Sequence, residues 1–198
     1  MTGPRARDEG VELMLRVQRG DMSAFTELVD VYQHNVVSMV SRLVKDRVLA
    51  EDLAQEVFLK IFRARERYRP LSKFSTWLYR ITYNCALNAI QARDRSTVLS
   101  IDALGEDGEA PARLPAARQP GPAEEVASEE LHRAVESILD RLPINQRMAV
   151  ELHKYHGMAY RDIAEAIGCT ELAVKSLLAR ARQSIKQKLA PYLREKVV

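Results

Sequence analysis

The chain has 198 residues, of which 46% are hydrophobic and 29% are charged, a composition typical of globular proteins. Its formal net charge is only +3, so the overall charge does not by itself indicate a nucleic-acid partner. No apolar run approaches the length of a membrane span, and the first residues lack the apolar stretch of a signal peptide. We therefore expect a cytoplasmic protein with no direct insertion into a membrane.

The residues that usually carry metal or covalent chemistry are sparse and scattered. Cys85 and Cys169 are the only cysteines and lack metal-ligand spacing, so we expect two buried thiols in a reducing compartment. His153 and His156 could share a metal, but no carboxylate or cysteine nearby in the sequence completes a ligand set. No phosphate-binding glycine loop, nucleophile elbow or zinc-protease motif is present. We expect no catalytic residue, metal, cofactor or small-molecule substrate, and therefore not an enzyme.

The N-terminal part of the chain has the apolar periodicity of a helical bundle. Apolar residues recur at spacings of three and four, and strict alternation is absent, so helices are favoured over strands. Asp46 or Asp52 is predicted to start the third helix, and Arg69–Pro70 to end it, because proline disfavours helix in the residue before it. Ser72 or Ser75 is predicted to cap a last helix that carries Trp77. The predicted N-terminal module spans residues 10–96.

The middle of the chain changes composition sharply. Residues 102–130 hold four prolines and three glycines, with almost no bulky apolar side chains. They also hold eight acidic residues and two arginines. Such a segment buries too little apolar surface to offset the entropy of ordering it. We predict an acidic, flexible linker over residues 97–128, which divides the chain into two small helical domains.

The C-terminal module, residues 129–195, contains the pattern of a helix-turn-helix. Pro143 ends a first apolar stripe, Asn145 is predicted to cap a second helix, and Gly157 to break it. A short helix over residues 160–167, a glycine turn at Gly168 and a long helix capped by Thr170 follow. Ala164 is small enough to let the two helices approach closely, and Gly168 can adopt the positive φ of the turn. The apolar residues that can pack one helix on the other are Ile163, Ile167, Val174 and Leu178.

The last helix has the charge distribution of a DNA-binding element. Residues 173–196 contain seven basic residues and one acidic residue, which suits contacts to phosphates. The start of the helix can enter a major groove, with Thr170, Glu171, Leu172 and Lys175 exposed to the bases. Basic residues further along suit the backbone: Arg180, Arg182, Lys186 and Lys188. An ordinary helical hairpin with a solvated basic face is the alternative, and the coincidence of features favours DNA binding.

Two features of the N-terminal module allow both a structural and a functional interpretation. The acids around Asp52 and Glu56 can complement a helix dipole or form a surface that docks on a protein. After them, residues 60–69 hold five basic residues and one acid, and aromatic and amide side chains follow. Such a combination can hold unstacked bases of single-stranded DNA. For Trp77, a place in the core is the better-supported interpretation.

Four segments of the chain resemble the extracytoplasmic-function sigma factors of bacterial RNA polymerase. GDMSAFTELVDVYQ resembles the opening of their region 2, and VLAEDLAQEVFLKIF resembles their helix that binds core polymerase. KFSTWLYRITYNCALNAIQAR resembles the helix that contacts the −10 promoter element. The segment from LPINQRMAV to RQSIKQKL resembles region 4. Any one motif is moderately specific, but four in the right order are highly specific.

The resemblance implies an all-α fold of two domains, a region 2 bundle and a region 4 helix-turn-helix. It also implies three binding surfaces, for core polymerase, for the −10 element and for the −35 element. The residues that match the core-polymerase-binding positions are Asp52, Gln55, Glu56 and Phe58. Those that match the −10 loop and helix, which capture a flipped base, are Leu71, Ser72, Lys73, Phe74, Tyr83, Asn84 and Asn88. Glu171 through Arg180 match the −35 recognition helix, and the predicted −35 DNA-binding residues are Thr170, Glu171, Leu172, Lys175, Ser176, Ala179, Arg180 and Arg182.

The recognition helix departs from the family pattern. Leu172, Ala173 and Leu177 stand where glycine, threonine and arginine are usual. The loss of an arginine near the groove puts the −35 specificity in doubt. Ala159 stands where a capping serine is common, and a poor cap costs about 1 kcal/mol.

The function implied by the resemblance is transcription initiation. The protein is expected to bind core RNA polymerase, to direct it to stress-response promoters through −10 and −35 contacts, and to assist promoter melting. An anti-sigma factor is an implied partner. Two alternatives are a helix-turn-helix regulator that does not bind core polymerase, and a sigma mimic that only sequesters a partner. The acid-rich helix followed by a basic, aromatic segment argues against the plain regulator.

Overall fold

The structure, a computed structural model, describes residues 8–101 and 134–194 of the chain. Within these ranges the regular elements are helices. The N-terminal module comprises α1 (Glu9–Gln18), α2 (Met22–Val44), α3 (Arg47–Ala64), a short 3-10 helix (Arg65–Arg67) and α4 (Phe74–Ile101). The C-terminal module comprises α5 (134–140), α6 (Ile144–Lys154), α7 (Tyr160–Ile167) and α8 (Glu171–Arg194).

Aspartates begin the helices of the N-terminal module. Asp8, Asp21 and Asp46 each accept a hydrogen bond from a backbone N–H in the first turn of α1, α2 and α3, at 3.0–3.2 Å. Asp21 also accepts hydrogen bonds from Ser23 and Arg16, and these donors hold its pKa at about 2. Of the two predicted starts for α3, Asp46 is therefore confirmed.

The start of α4 differs from the prediction. Neither Ser72 nor Ser75 caps it, because the Oδ2 atom of Asp8 accepts the hydrogen bond of the Phe74 N–H group at 3.0 Å. Asp8 thus serves the first turns of α1 and α4 together. It fixes the position of the loop just before α4, where Leu71, Ser72 and Lys73 lie.

The third helix ends earlier than predicted. It stops at Ala64, and the chain continues as a single 3-10 turn before the extended Tyr68. The amide of Gln18 donates to the carbonyl oxygens of Arg65, Glu66 and Tyr68, at 3.0–3.3 Å. These bonds satisfy backbone groups that the end of a helix leaves unpaired, so the turn before Pro70 is tied to α1.

The helix-turn-helix of the C-terminal module forms as predicted. Gly168 has a φ of +78° at the end of α7, and Thr170 Oγ1 accepts the hydrogen bond of the Ala173 N–H group at 3.1 Å. Ile163, Val174 and Leu178 are buried between α7 and α8. The start of α7, at Ala159, has no side-chain cap, as the sequence indicates.

Asn145 does not cap α6, contrary to the prediction. The helix begins at Ile144, preceded by Pro143, with no side-chain cap. The side-chain oxygen of Asn145 accepts a hydrogen bond from Tyr83 in the other module instead. Pro143 is the N-cap residue, and its carbonyl oxygen accepts hydrogen bonds from the N–H groups of Gln146 and Arg147 in the first turn.

The two modules pack against each other. Helix α4 contacts α7, and α2 contacts α6, so one cluster of buried side chains runs through both modules. The prediction of a flexible linker falls mostly on residues outside the described ranges. Residues 97–101 of the predicted linker belong to α4. No helix of the described ranges is both long and apolar enough to cross a membrane.

Candidate polymerase and promoter interface

One face of α3 presents three of the four residues predicted to bind core polymerase. Asp52, Gln55 and Glu56 are exposed, while Leu53, Ala54 and Val57 are buried on the opposite side. Lys60 Nζ lies 2.7 Å from Glu56 Oε1, and this hydrogen bond raises the lysine pKa. No ion pair is recorded for Asp52 in the described residues, which leaves its carboxylate available to a basic partner.

Phe58, the fourth predicted residue, faces the core. Its side chain is buried beside Val57 and Ile61, so it supports α3 from behind and does not form part of the docking face. The apolar side chains that α3 does expose are Val48, at 71%, and Leu59, at 53%. The sequence did not predict that these two side chains are exposed. Apolar periodicity shows which residues share a face of a helix, but the neighbouring helices decide which face is buried.

The loop before α4 exposes the side chains predicted to capture a base. Leu71 is 90% exposed, the highest value among the large apolar residues of the described ranges. Lys73 beside it is exposed as well. An apolar side chain held next to a cation is suited to the face of a base and a nearby phosphate. The loop is the strongest candidate in the N-terminal module for contact with an unpaired strand.

Phe74 is a core residue, not a DNA-contacting residue as predicted. It is completely buried, and its ring lies 5.0 Å from that of Tyr32 and 5.8 Å from that of Trp77. Tyr68 completes this aromatic cluster, 4.9 Å from Trp77. Trp77 therefore serves the core, in line with the sequence interpretation. The cluster anchors the start of α4, so Phe74 positions the loop without touching DNA.

The exposed face of α4 is lined with polar side chains. Asn84 and Asn88, two of the residues predicted to contact the −10 element, lie on it, and so do Arg80 and Gln91. The spacing of four, four and three residues places these four side chains on one side of the helix. Arg80 was missed by sequence reasoning, although its spacing of four from Asn84 was the available signal.

Tyr83, the remaining −10 residue, is buried against the C-terminal module. Its hydroxyl donates to Asn145 Oδ1 at 2.5 Å, and burial raises its pKa. Only 5% of the residue is exposed. In this arrangement Tyr83 is not accessible to a base, in contrast to Asn84 and Asn88 on the next turn.

Helix α8 presents all the predicted −35 residues to solvent. The exposed residues of its first three turns and the cap before them are Thr170, Glu171, Leu172, Lys175, Ser176, Ala179, Arg180 and Arg182. Val174, Leu178 and Ala181 are buried on the other side. The helix thus has the two faces that a recognition helix needs, one packed on α6 and α7 and one open to a groove.

The atypical residues of α8 lie in two environments. Leu172 is exposed, so an apolar side chain stands where it can meet the edge of a base or the methyl group of thymine. Ala173 and Leu177 are half-buried. Arg180, one turn after Leu177, is exposed and can supply a guanidinium to the backbone or to guanine.

Within the part of the chain that the structure describes, the thiols and imidazoles do not assemble a metal centre. Cys85 is buried and Cys169 half-buried, and burial raises both pKa values. No group of three or more histidine, cysteine or acidic side chains is arranged for a metal within the described ranges. Lys60 Nζ lies 3.3 Å from Cys85 Sγ, inside the bundle.

Comparison with known proteins agrees with the geometry of both modules. The chain matches the families described as Sigma-70 region 2, over residues 28–96, and Sigma-70 region 4, over residues 132–185. It is 38% identical to the RNA polymerase sigma-H factor of Pseudomonas aeruginosa over 190 residues, covering 96% of this chain and 98% of that protein. It is 39% identical to the ECF RNA polymerase sigma-E factor of Escherichia coli K12, covering 92% and 95%.

Two solved structures have a similar fold. One is CnrH in complex with the cytosolic domain of CnrY, with a TM-score of 0.66, 22% identity and coverage of 93% of this chain and 99% of that one. The other is the sigma factor RpoE in complex with the anti-sigma factor NepR from Bartonella quintana. Its TM-score is 0.63 at 22% identity, covering 84% of this chain and 96% of that one.

A helical bundle that matches region 2, followed by a helix-turn-helix that matches region 4, defines a sigma factor of the sigma-70 type. Within that class the chain belongs to the extracytoplasmic-function sigma factors. It is an alternative sigma factor for transcription initiation, and binding to core polymerase and promoter melting are the general role of such proteins. Its relatives are transcription factors and not catalysts. The match of region 2 disfavours the plain helix-turn-helix regulator.

Proposed function

We propose that the protein divides promoter recognition among three surfaces. The exposed acids of α3 dock on core polymerase. The loop at Leu71–Lys73 and the polar face of α4 read the −10 element as an unpaired strand. The exposed face of α8 reads the −35 element as a duplex. The observation that supports this division best is that α4 and α8 each bury one face in a core and keep the opposite face polar and exposed.

The three surfaces use different physical chemistry. Acids on α3 would steer the approach to a basic surface and set the register of the complex. Leu71 and the amides of α4 would offset the unstacking of a base by contacts to the extruded base. The basic residues of α8 would bind phosphates with a strong dependence on salt.

The chemistry of RNA synthesis would remain with the polymerase, and this chain would act as its binding subunit in the cytoplasm. An anti-sigma factor is a further proposed partner. Support comes from the two structures of similar fold: one is a sigma factor in complex with an anti-sigma factor, and the other is CnrH in complex with the cytosolic domain of CnrY.

The division can be tested with one substitution on each surface in a reconstituted transcription system. Asp52→Arg should lower the affinity for core polymerase. Asn88→Ala should leave core binding unchanged and weaken strand capture. Arg180→Ala should weaken duplex binding alone. Asp30→Arg, on the exposed side of α2, is the matched control for a reversal of charge. Loss of core binding with Arg180→Ala, or none with Asp52→Arg, would contradict the assignment.

A further inference from the structure

The promoter-reading loop of the N-terminal module is in contact with acidic side chains of the C-terminal module. Lys73 Nζ donates to Asp162 Oδ2 at 3.1 Å, and Ser72 Oγ donates to Glu165 Oε1 at 2.6 Å. Asp162 and Glu165 lie on α7, the first helix of the helix-turn-helix. A carboxylate offers a lysine and a hydroxyl the same kind of anionic oxygen that a DNA phosphate offers.

A second group of contacts continues this junction along α4. Tyr83 donates to Asn145, as described above, and Tyr79 Oη lies 2.8 Å from His156 Nδ1. Burial raises the pKa of Tyr79 to about 12, so the phenol stays protonated in this contact. Two consecutive turns of the reading helix are therefore engaged by the C-terminal module, on the side next to its exposed polar face.

On the side of the junction away from the reading loop, a buried acid of α6 joins the C-terminal module to α2. Glu151, only 4% exposed, accepts a hydrogen bond from Arg42 of α2 at 2.6 Å. The Arg42 guanidinium lies 4.3 Å from the centre of the Tyr155 ring, and His156 Nε2 lies 3.4 Å from Glu151. Separating the modules would leave the buried carboxylate without its charge partner, so the pair favours one relative orientation of the modules.

The edge of the junction adds further polar contacts. Arg147 donates to the carbonyl oxygen of Leu43 at 3.2 Å, and burial lowers the pKa of its guanidinium. Lys45, at the end of α2, forms an ion pair with Asp140 of α5. These contacts together span the junction from the reading loop to the end of α2.

We propose that this junction is an internal docking site, in which the acidic side of α7 occupies the −10 reading loop and closes the free chain against promoter DNA. The C-terminal module and the unpaired promoter strand then compete for Ser72, Lys73 and Tyr83. The chain must open before it reads DNA, and its apparent affinity is lowered by the fraction of molecules that are closed. This inference rests on the proposed −10 function of the loop.

The first test opens the junction at a distance from every proposed DNA contact. Glu151→Gln and Arg42→Gln each remove the ion pair from one side of the junction. Glu27→Gln, which breaks the Arg16–Glu27 pair within the N-terminal module, is the matched control. Helicity and the thermal melting curve verify that each variant is folded.

The probe is a fluorescent single strand that carries the non-template −10 sequence of a promoter mapped by in vitro transcription. Both junction variants should bind it at least about threefold more tightly than the unaltered chain, and the double variant should gain no more than either single one. Glu27→Gln should bind as the unaltered chain does. Folded junction variants with unaltered affinity for the strand would overturn the proposal.

The second test locks the junction. Lys45→Cys and Asp140→Cys, combined with Cys169→Ala, allow a short bismaleimide containing a disulfide to bridge the two modules. The linked protein should not bind the strand or support transcription with core polymerase, and cleavage of the linker with a reductant should restore both activities. Equal activity before and after cleavage would overturn the closed state. Inactivity in both forms, with core binding intact, would instead contradict the proposed promoter function.

Discussion

At the scale of the residue, Gly10 is the position where the structure leaves least space. A Cβ atom there would lie 2.5 Å from the Tyr32 hydroxyl and 2.6 Å from Cδ1 of Phe74. Because Phe74 is completely buried and anchors the start of α4, neither ring can move freely. Gly10 lies within helix α1, so close packing, and not an unusual backbone conformation, explains why this position has no side chain.

Gly10→Ala should therefore destabilise the N-terminal module by about 1–3 kcal/mol, the usual effect of overpacking a core. Chemical denaturation followed by circular dichroism measures this change. Glu9→Ala, at the exposed neighbouring position, should change the stability by no more than about 0.5 kcal/mol. A stable Gly10→Ala variant would show that α1 can move away from α4 without loss.

A substitution of Asp52 tests the proposed docking face of α3. Its carboxylate is exposed and forms no ion pair with the described residues, so Asp52→Arg reverses a surface charge without breaking a contact of the fold. We expect loss of core-polymerase binding in a competition assay and an unchanged melting temperature. A variant that still competes at full strength would move the docking face elsewhere on the bundle.

Sequence reasoning was most reliable for single residues whose role is local. Gly168 and Thr170 have the conformation and cap that were predicted, because both depend on neighbours within three residues. Phe58 and Phe74 were assigned to interfaces and lie in the core instead. Their burial is decided by helices distant in sequence, which periodicity alone cannot reveal.

At the scale of the element, α7 begins without a side-chain cap. Ala159 has the extended backbone of a cap residue, with φ −69° and ψ 151°, so a serine can accept a backbone hydrogen bond without rearrangement. Ala159→Ser should stabilise the chain by about 0.5–1 kcal/mol, and Thr170→Ala, which removes the cap of α8, should destabilise it by about 1 kcal/mol. Urea denaturation of the two variants checks both signs, and equal stability would contradict the account of the caps.

Helix α8 is expected to bind phosphates through its exposed basic residues. Lys175→Ala should weaken binding to duplex DNA and lower the slope of log affinity against log salt by about 1. Lys154→Ala, exposed on α6, is the control and should leave the slope unchanged. An unchanged slope for Lys175→Ala would remove this lysine from the contacts.

Element boundaries were predictable where a strong local signal exists. Asp46 marks the start of α3 and Gly168 the end of α7, whereas α6 ends at Lys154, before the predicted Gly157. The start of α4 was not predictable, because the residue that caps it, Asp8, is distant in sequence. The same holds for Asn145, whose side chain is used by Tyr83 and not by its own helix.

At the scale of the whole molecule, the sequence predicted two helical modules but not their contact. The sequence around each residue of the junction is what an ordinary helix would have. Glu151 and Asp162 lie on amphipathic helices, and Tyr79 and Tyr83 lie on α4, a helix with several aromatic residues. Only the packing of α4 on α7 brings the acids to the reading loop. In the proposed closed state, that contact makes the DNA-reading surfaces of the two modules depend on each other.

The most direct test of the central claim is transcription of the source organism's genomic DNA by sigma-free core polymerase, with and without this protein, followed by mapping of RNA 5′ ends. We predict discrete new start sites that share two upstream elements, one near −10 and one near −35. The Asp52→Arg variant should produce none of them. Intact core binding without any new start site would contradict the account and identify the chain as a protein that occupies polymerase without reading promoters.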